Sequence, residues 1–150
     1  MKVFLGGTCN NSVWRNELIK TLEVDYFNPI VEDWTEECYQ EELKQRKLCD
    51  KVLYVITSEM TGVYSIAEAV DDSNKQPAKT IFVFFKKGFD NGQIKSLDKV
   101  GKMIKENGGK YLEVNTVSDI SDYLNNLDNV TESIVKGSFN KLYTRLLKST

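Results

Sequence analysis

Lys51-Val-Leu-Tyr-Val-Ile-Thr-Ser-Glu-Met-Thr-Gly-Val-Tyr-Ser-Ile-Ala-Glu-Ala-Val-Asp-Asp72 is the stretch that decides the architecture. Its first part, Val52 to Ile56, is an apolar, β-branched run without polar alternation, which suits a strand covered on both faces. Polar and turn-forming residues follow from Thr57 to Gly62, and Ser65-Ile-Ala-Glu68 then opens an amphipathic segment. Strand, loop, helix is the order in which open parallel sheets bring reactive side chains to their carboxyl edge. Glu68 falls in the first turn of that helix, and two readings of it compete. Ser65 and Glu68 fit the S-x-x-E capping box, in which each side chain satisfies the other residue's amide. The other reading is a carboxylate facing the crevice. Asp71 and Asp72 follow on roughly the same helix face. They either form a solvated acidic surface or raise the pKa of Glu68.

Working outward, Val3-Phe4-Leu5 reads as a short buried strand ending in Gly6-Gly7-Thr8, with a loop from Cys9 through Asn10 and Asn11 to Ser12. Ser12 is placed to cap a helix over Val13 to Leu22, where Trp14, Leu18, Ile19 and Leu22 recur at helical spacing. Glycines at a strand end allow close backbone approach to a ligand and favour anions at the helix start beyond. The loop lacks G-x-G-x-x-G and G-x-x-x-x-G-K-[ST], so neither a dinucleotide nor a triphosphate is signalled, and no cofactor is expected. Asp25 to Asn28 reads as a second strand stopped by Pro29. Thr35 caps a helix over Glu36 to Leu48, whose early glutamates suit the positive helix end.

Thr80 to Phe85 is another continuous apolar strand, followed by the loop Lys86 to Gly92. Leu97, Val100, Met103 and Ile104 mark a helix ending at Asn107-Gly-Gly109, and Tyr111 to Val114 is a fifth strand. Val117 to Leu127 and Val130 to Leu147 read as two helices, a helical carboxyl-terminal extension over 116–150 of one domain spanning 1–150. This alternation indicates an α/β fold: a flavodoxin-like, Rossmann-like open and mainly parallel five-stranded sheet, order 2-1-3-4-5, with helices on both faces. The order reverses between the first and third strands, so a crevice there receives both Gly6 to Thr8 and the loop from Ser58 to Glu68.

Composition narrows the chemistry. Among 150 residues, 41% are hydrophobic and 11% aromatic, which supports a compact globule. A net charge of -2 gives no basic face for sustained phosphate-backbone binding, so no nucleic-acid partner is expected. The chain has no histidine, and Cys9, Cys38 and Cys49 lack metal spacing. Metal sites built from Cys and His, and Ser-His-Asp triads, are therefore not expected. No apolar run approaches a membrane span and the amino-terminal segment is too short for a signal peptide, so a cytoplasmic setting is the expectation.

Lys2-Val-Phe-Leu-Gly-Gly-Thr8, Asp25-Tyr-Phe-Asn-Pro29, Asp50-Lys-Val-Leu-Tyr-Val-Ile56 and Gly62-Val-Tyr-Ser-Ile-Ala-Glu-Ala69, taken together, resemble the nucleoside 2-deoxyribosyltransferase superfamily, in particular its small deoxyribosyltransferase-like branch, over about residues 1 to 90. The resemblance implies an enzyme that cleaves the N-glycosidic bond of a nucleoside or nucleoside monophosphate, with Glu68 at the position of the nucleophile. Tyr64 or Ser65 then orients Glu68, and Glu42 matches a substrate-contacting carboxylate. By the same resemblance Gly6, Gly7, Thr8 and Asn11 lie at the sugar or its 5′ group. Arg15, one turn into the first helix, is either a solvated surface residue or, for a nucleotide substrate, the partner of a 5′-phosphate. Asp33-Trp34 is either a loop with one packed aromatic or a stacking wall, Trp34, for the base with Asp33 or Glu32 at its edge.

The chain departs from the pattern at Gly62, where relatives carry an acid; Glu59 is near but displaced. Relatives complete their sites across subunits, with an asparagine that Asn91 matches, so a homo-oligomer is implied. The apolar stripe Ile134, Phe139, Leu142 and Leu146 suits either such a contact or packing on its own sheet. A binding protein of the same fold, without turnover, is the alternative.

Overall fold

The computed structural model describes residues 1–9 and 11–147, with side chains described up to Ser138. Asn10 and the side chains of Phe139, Leu142 and Leu146 lie outside the described residues. Five strands form one parallel sheet: β1 (Lys2–Gly7), β2 (Asp25–Phe27), β3 (Lys51–Ile56), β4 (Thr80–Phe84) and β5 (Lys110–Leu112). Their order is β2-β1-β3-β4-β5, the order expected from the alternation of strands and helices. β1 lies between β2 and β3, pairing with β2 through Phe4 and Phe27 and with β3 through Gly6 and Tyr54.

The helices are α1 (Trp14–Ile19), α2 (Glu36–Leu48), α3 (Tyr64–Lys75), α4 (Asn91–Glu106) and α5 (Val117–Leu147). Alternate strand residues build two cores, as strand periodicity requires. Val3, Leu5, Leu53, Val55 and Val83 pack on Trp14 and Leu18 of α1 and on Ile120 and Leu124 of α5. Phe4, Val52, Tyr54, Phe82 and Phe84 pack on Ala69 of α3 and on Leu97 and Ile104 of α4. Among the described residues no helix is long and apolar enough to cross a membrane.

Three helices differ from the sequence reading, and β5 ends at Leu112 rather than Val114. α1 stops at Ile19, and Val13 rather than Ser12 precedes it without a side-chain cap, because the Ser12 hydroxyl pairs with Thr57 Oγ1 at 3.1 Å. α3 begins at Tyr64, with the uncapped Val63 rather than Ser65 preceding it, so the Ser65 and Glu68 capping box does not form. α5 is one continuous helix where two were expected. Thr35 does cap α2, accepting from the Cys38 amide at 3.3 Å.

α2 differs from the other long helices. Its single buried residue is Arg46, 8% exposed, so a charge occupies the place where an amphipathic helix normally buries aliphatic side chains.

Candidate active site

α2 and α3 each follow a parallel strand and run in the same direction, so residues at matching depth face one another. On α2 the facing residues are Tyr39, Glu42 and Arg46, at helical positions i, i+3 and i+7; on α3 they are Tyr64, Glu68 and Asp72, at i, i+4 and i+8. They meet in three tiers. Tyr39 and Tyr64 come together at the top, where the Tyr39 hydroxyl is the main influence raising the pKa of the Tyr64 hydroxyl. Glu42 and Glu68 repel one another one turn below. Arg46 and Asp72 pair at the bottom, with Arg46 Nη2 3.0 Å from Asp72 Oδ1 and Nε donating to Oδ2 at 3.3 Å.

Glu68 belongs to both lower tiers, because Arg46 Nη1 also donates to its Oε1 at 2.7 Å. Instead of reaching back to the start of its own helix, the carboxylate reaches across to α2. Tyr54, from β3, completes the arrangement by donating to Asp72 Oδ2 at 2.6 Å. The Tyr54 ring requires glycine at position 6, since a Cβ there would stand 2.9 Å from its Cε1. Thus the conformation of β1, the tyrosine and the buried carboxylate are fixed together.

The electrostatics follow from this packing. Burial is the main influence on Glu68 and raises its carboxyl from 4.5 to about 7; Arg46 pulls it down, while Glu42, Asp72 and Asp71 push it further up. Burial likewise raises the Glu42 carboxyl, against the pull of Arg46 and Arg15. Burial opposes the charge of Arg46, but Tyr54, Glu68 and Asp72 outweigh it and raise its pKa, so the guanidinium stays charged. Burial and the bond to Asp72 keep the Tyr54 hydroxyl protonated. One guanidinium thus faces three carboxyl groups, and burial favours the protonated form of two of them, Glu42 and Glu68.

The other expected site residues are dispersed. Gly6, Gly7 and Thr8 are buried; Thr8 Oγ1 accepts from the Thr57 amide at 3.0 Å. The Arg15 fork expected to meet a phosphate is turned into the protein, where it donates to the carbonyls of Leu5 at 2.8 Å, Thr8 at 2.6 Å and Gly7 at 3.2 Å. Arg15 therefore braces the loop from within. Asn11, Asp33 and Asn91 are exposed, Asn91 as the first residue of α4, and Ser65 is half-buried. Trp34, 63% exposed, leans against Tyr39 with ring centroids 5.8 Å apart. Trp34 and Tyr39, with Tyr64 near Tyr39, form an aromatic flank at the top of the carboxylate tiers. Gly62 has open space where a Cβ would stand.

A hollow of about 440 Å³ lies on the α1 and α5 side of the sheet edge, lined in part by Trp14, Thr57, Glu59, Phe85, Lys87 and Val117. None of the tiered carboxylates lines it. Glu59 and Ser58 thus face this hollow, whereas Glu68, at the far end of the same connection, faces α2.

Sequence reasoning placed Asp72 near Glu68 but missed Arg46, which bonds both carboxylates, and Tyr54 and Tyr39, which bond Asp72 and face Tyr64 respectively. The signal was present in the spacing: two polar stripes on consecutive crossover helices, on an α2 with no apolar face. A polar stripe that recurs at helical period reads as a solvated surface until a second stripe of opposite charge is brought against it.

No curated protein matches the chain. A family model described as nucleoside 2-deoxyribosyltransferase like matches residues 1–86. That span contains β1, α2, β3 and α3, and with them every residue of the three tiers. Since the match extends over more than half of the 150 residues, the chain belongs to the nucleoside 2-deoxyribosyltransferase-like family.

Proposed function

We propose that the protein cleaves the N-glycosidic bond of a (deoxy)nucleoside or nucleoside monophosphate through a covalent glycosyl-Glu68 intermediate, passing the sugar to another base or to water. The observation that carries this reading is Glu68 itself, a largely buried carboxylate held by a guanidinium beneath an exposed aromatic flank. N-glycoside cleavage develops positive charge at the anomeric carbon, which a carboxylate stabilises before it bonds. Glu68 attacks C1′ as the bond from C1′ to the base nitrogen breaks, and the bonding pair leaves with the base. A proton is then delivered to the base nitrogen. Glu42 is the nearest candidate donor, since burial favours its protonated form.

In the second step water or the nitrogen of a second base attacks C1′. The ester bond breaks, its electron pair returns to Glu68, and the attacking group's proton returns to the acid. Trp34, Tyr39 and Tyr64 offer aromatic faces for a flat base. A small-molecule nucleoside or nucleotide is accordingly the partner, in a site shared between the subunits of a homo-oligomer in which Asn91 comes from the neighbour.

The alternative, a non-catalytic nucleotide binder of the same fold, is favoured by one observation: the ion pair of Glu68 with Arg46 also serves as a plain structural tie. Intact-protein and small-molecule mass spectrometry with a panel of deoxynucleosides and their monophosphates, with and without a second base, separates the two. The enzyme releases free base or exchanged nucleoside and carries a sugar adduct on Glu68. Turnover should fall about tenfold per pH unit below ~7, where Glu68 gains its proton. Glu68→Gln should lose turnover by about 10³-fold or more. Retained ligand with neither turnover nor adduct in the wild type establishes the binder.

A further inference from the structure

Arg46 belongs to none of the motifs that carry the family resemblance, yet it is the hub of the tiers. Its Nε and Nη2 engage Asp72 on both carboxylate oxygens, at 3.3 and 3.0 Å, which fixes the plane of the guanidinium. Asp72 is fixed in turn by Tyr54, and Tyr54 packs against Gly6. The one remaining direction of the fork, Nη1, reaches Glu68 Oε1 at 2.7 Å.

We propose that Arg46 is a positioning residue for the glycosylation chemistry: locked on Asp72, it holds Glu68 by Oε1, presents Oε2 to the anomeric carbon, and stabilises the carboxylate when that oxygen departs from the sugar. The proposal rests on the enzymatic reading above and adds the residue that controls both ends of the covalent step.

The two half-reactions place different demands on Arg46. In the first, Oε2 forms its bond to C1′ and the charge of Glu68 disappears, while Oε1 becomes an ester carbonyl that still accepts from Nη1. In the second, the bond from C1′ to Oε2 breaks as the acceptor attacks, and the electron pair returns to a carboxylate whose partner is already in place. A preorganised donor contributes most where charge reappears. Arg46 therefore matters most for release of the sugar, whereas at alkaline pH, with much of Glu68 still ionised, formation of the adduct depends less on Arg46.

The groups acting on Glu68 are Arg46 and Glu42 from α2, Asp71, Asp72 and Tyr64 from α3, and Tyr54 from β3 through Asp72 and Arg46. Arg46 is the only cation among them. A lysine in its place keeps the charge but cannot bridge two carboxylates with a planar fork.

The test combines two readouts on wild type, Arg46→Met, Arg46→Lys and Tyr54→Phe. Carboxyl carbon-13 NMR of Glu68 follows its titration without substrate, and time-resolved intact mass spectrometry follows the adduct at pH 8.5 after a pulse of deoxynucleoside. Arg46→Met should move the Glu68 titration upward by about one pH unit or more and lengthen the adduct's lifetime by about tenfold or more. Arg46→Lys should leave the titration near its wild-type position and still prolong the adduct. Tyr54→Phe, which loosens Asp72, should give a smaller change in the same direction.

Folded Arg46→Met with an unchanged titration and adduct lifetime overturns the proposal. Where Arg46→Met does not fold, an adduct lifetime in Arg46→Lys equal to that of wild type overturns it equally. A wild type with no adduct and no turnover removes the enzymatic reading instead, and the titration then still decides whether Arg46 governs the ionisation of Glu68.

Discussion

Glu68 is subject to two opposed influences, and the outcome has a thermodynamic side as well as a chemical one. Its folded-state pKa, about 7, lies above the ordinary 4.5, so the folded protein binds this proton more tightly than the unfolded chain does. The resulting stability is fully present below about 4.5 and is lost as pH rises through about 7. Glu68→Gln, which cannot ionise, removes this dependence. Urea unfolding at pH 5 and pH 8 should therefore show a larger loss of stability on going to pH 8 in the wild type than in the variant. Equal losses would mean that Arg46 compensates the burial completely. The same residue shows where sequence reading stops. Ser65 and Glu68 match a capping box by spacing, but the residue preceding the helix is Val63, and a shift of two residues removes the geometry on which the motif depends. What replaces it is a bond across 22 positions of sequence, to Arg46.

At the scale of elements, the sheet was legible because its strands are continuous apolar runs and its helices carry apolar stripes, and both signals are local. β1, β3 and β4 fall within a residue or two of their expected limits, and their order follows from right-handed crossover connections. Of this cluster the sequence named Glu68, Glu42, Tyr64, Trp34 and the neighbouring Asp72 but not the bonds between them, since the pairing of α2 with α3 depends on facing polar stripes that no local pattern reports. Glycine in β1 was read as room for a ligand, and in the fold it is room for β3. Gly7 has φ +116°, and a Cβ there would stand 2.1 Å from the carbonyl oxygen of Val55. Gly7→Ala should destabilise the fold by on the order of 3 kcal/mol, combining backbone strain with displacement of the central strand pair. Thermal unfolding measures this directly, and a loss below ~1 kcal/mol would show that β1 slides to make room.

Over the whole molecule, α5 changes character along its length. Ile120 and Leu124 are fully buried against the sheet, whereas Thr131 to Ser138 are all exposed, among them Ile134 and Val135. At 1.5 Å per residue the helix is roughly 46 Å long, more than the sheet it packs on requires. A chain ending at Asn129 should therefore unfold within ~1 kcal/mol of the full chain, because the removed side chains described here bury little apolar surface. Light scattering of the two chains tests the expected homo-oligomer. A full chain that is monomeric at assay concentration would exclude a site completed by a neighbouring Asn91.

The two tryptophans occupy opposite surroundings. Trp14 is 3% exposed, with its indole N–H on the Thr8 carbonyl and the Arg15 guanidinium 4.3 Å above its ring, while Trp34 stands 63% exposed beside Tyr39. The intrinsic fluorescence is therefore a sum of a blue, internal emitter and a red, solvent-relaxed one. Only the red emitter lies on the aromatic flank above Glu68, so occupancy of that flank by a flat ring would be visible as selective quenching at long wavelength, in unlabelled protein, with the short-wavelength signal as an internal reference.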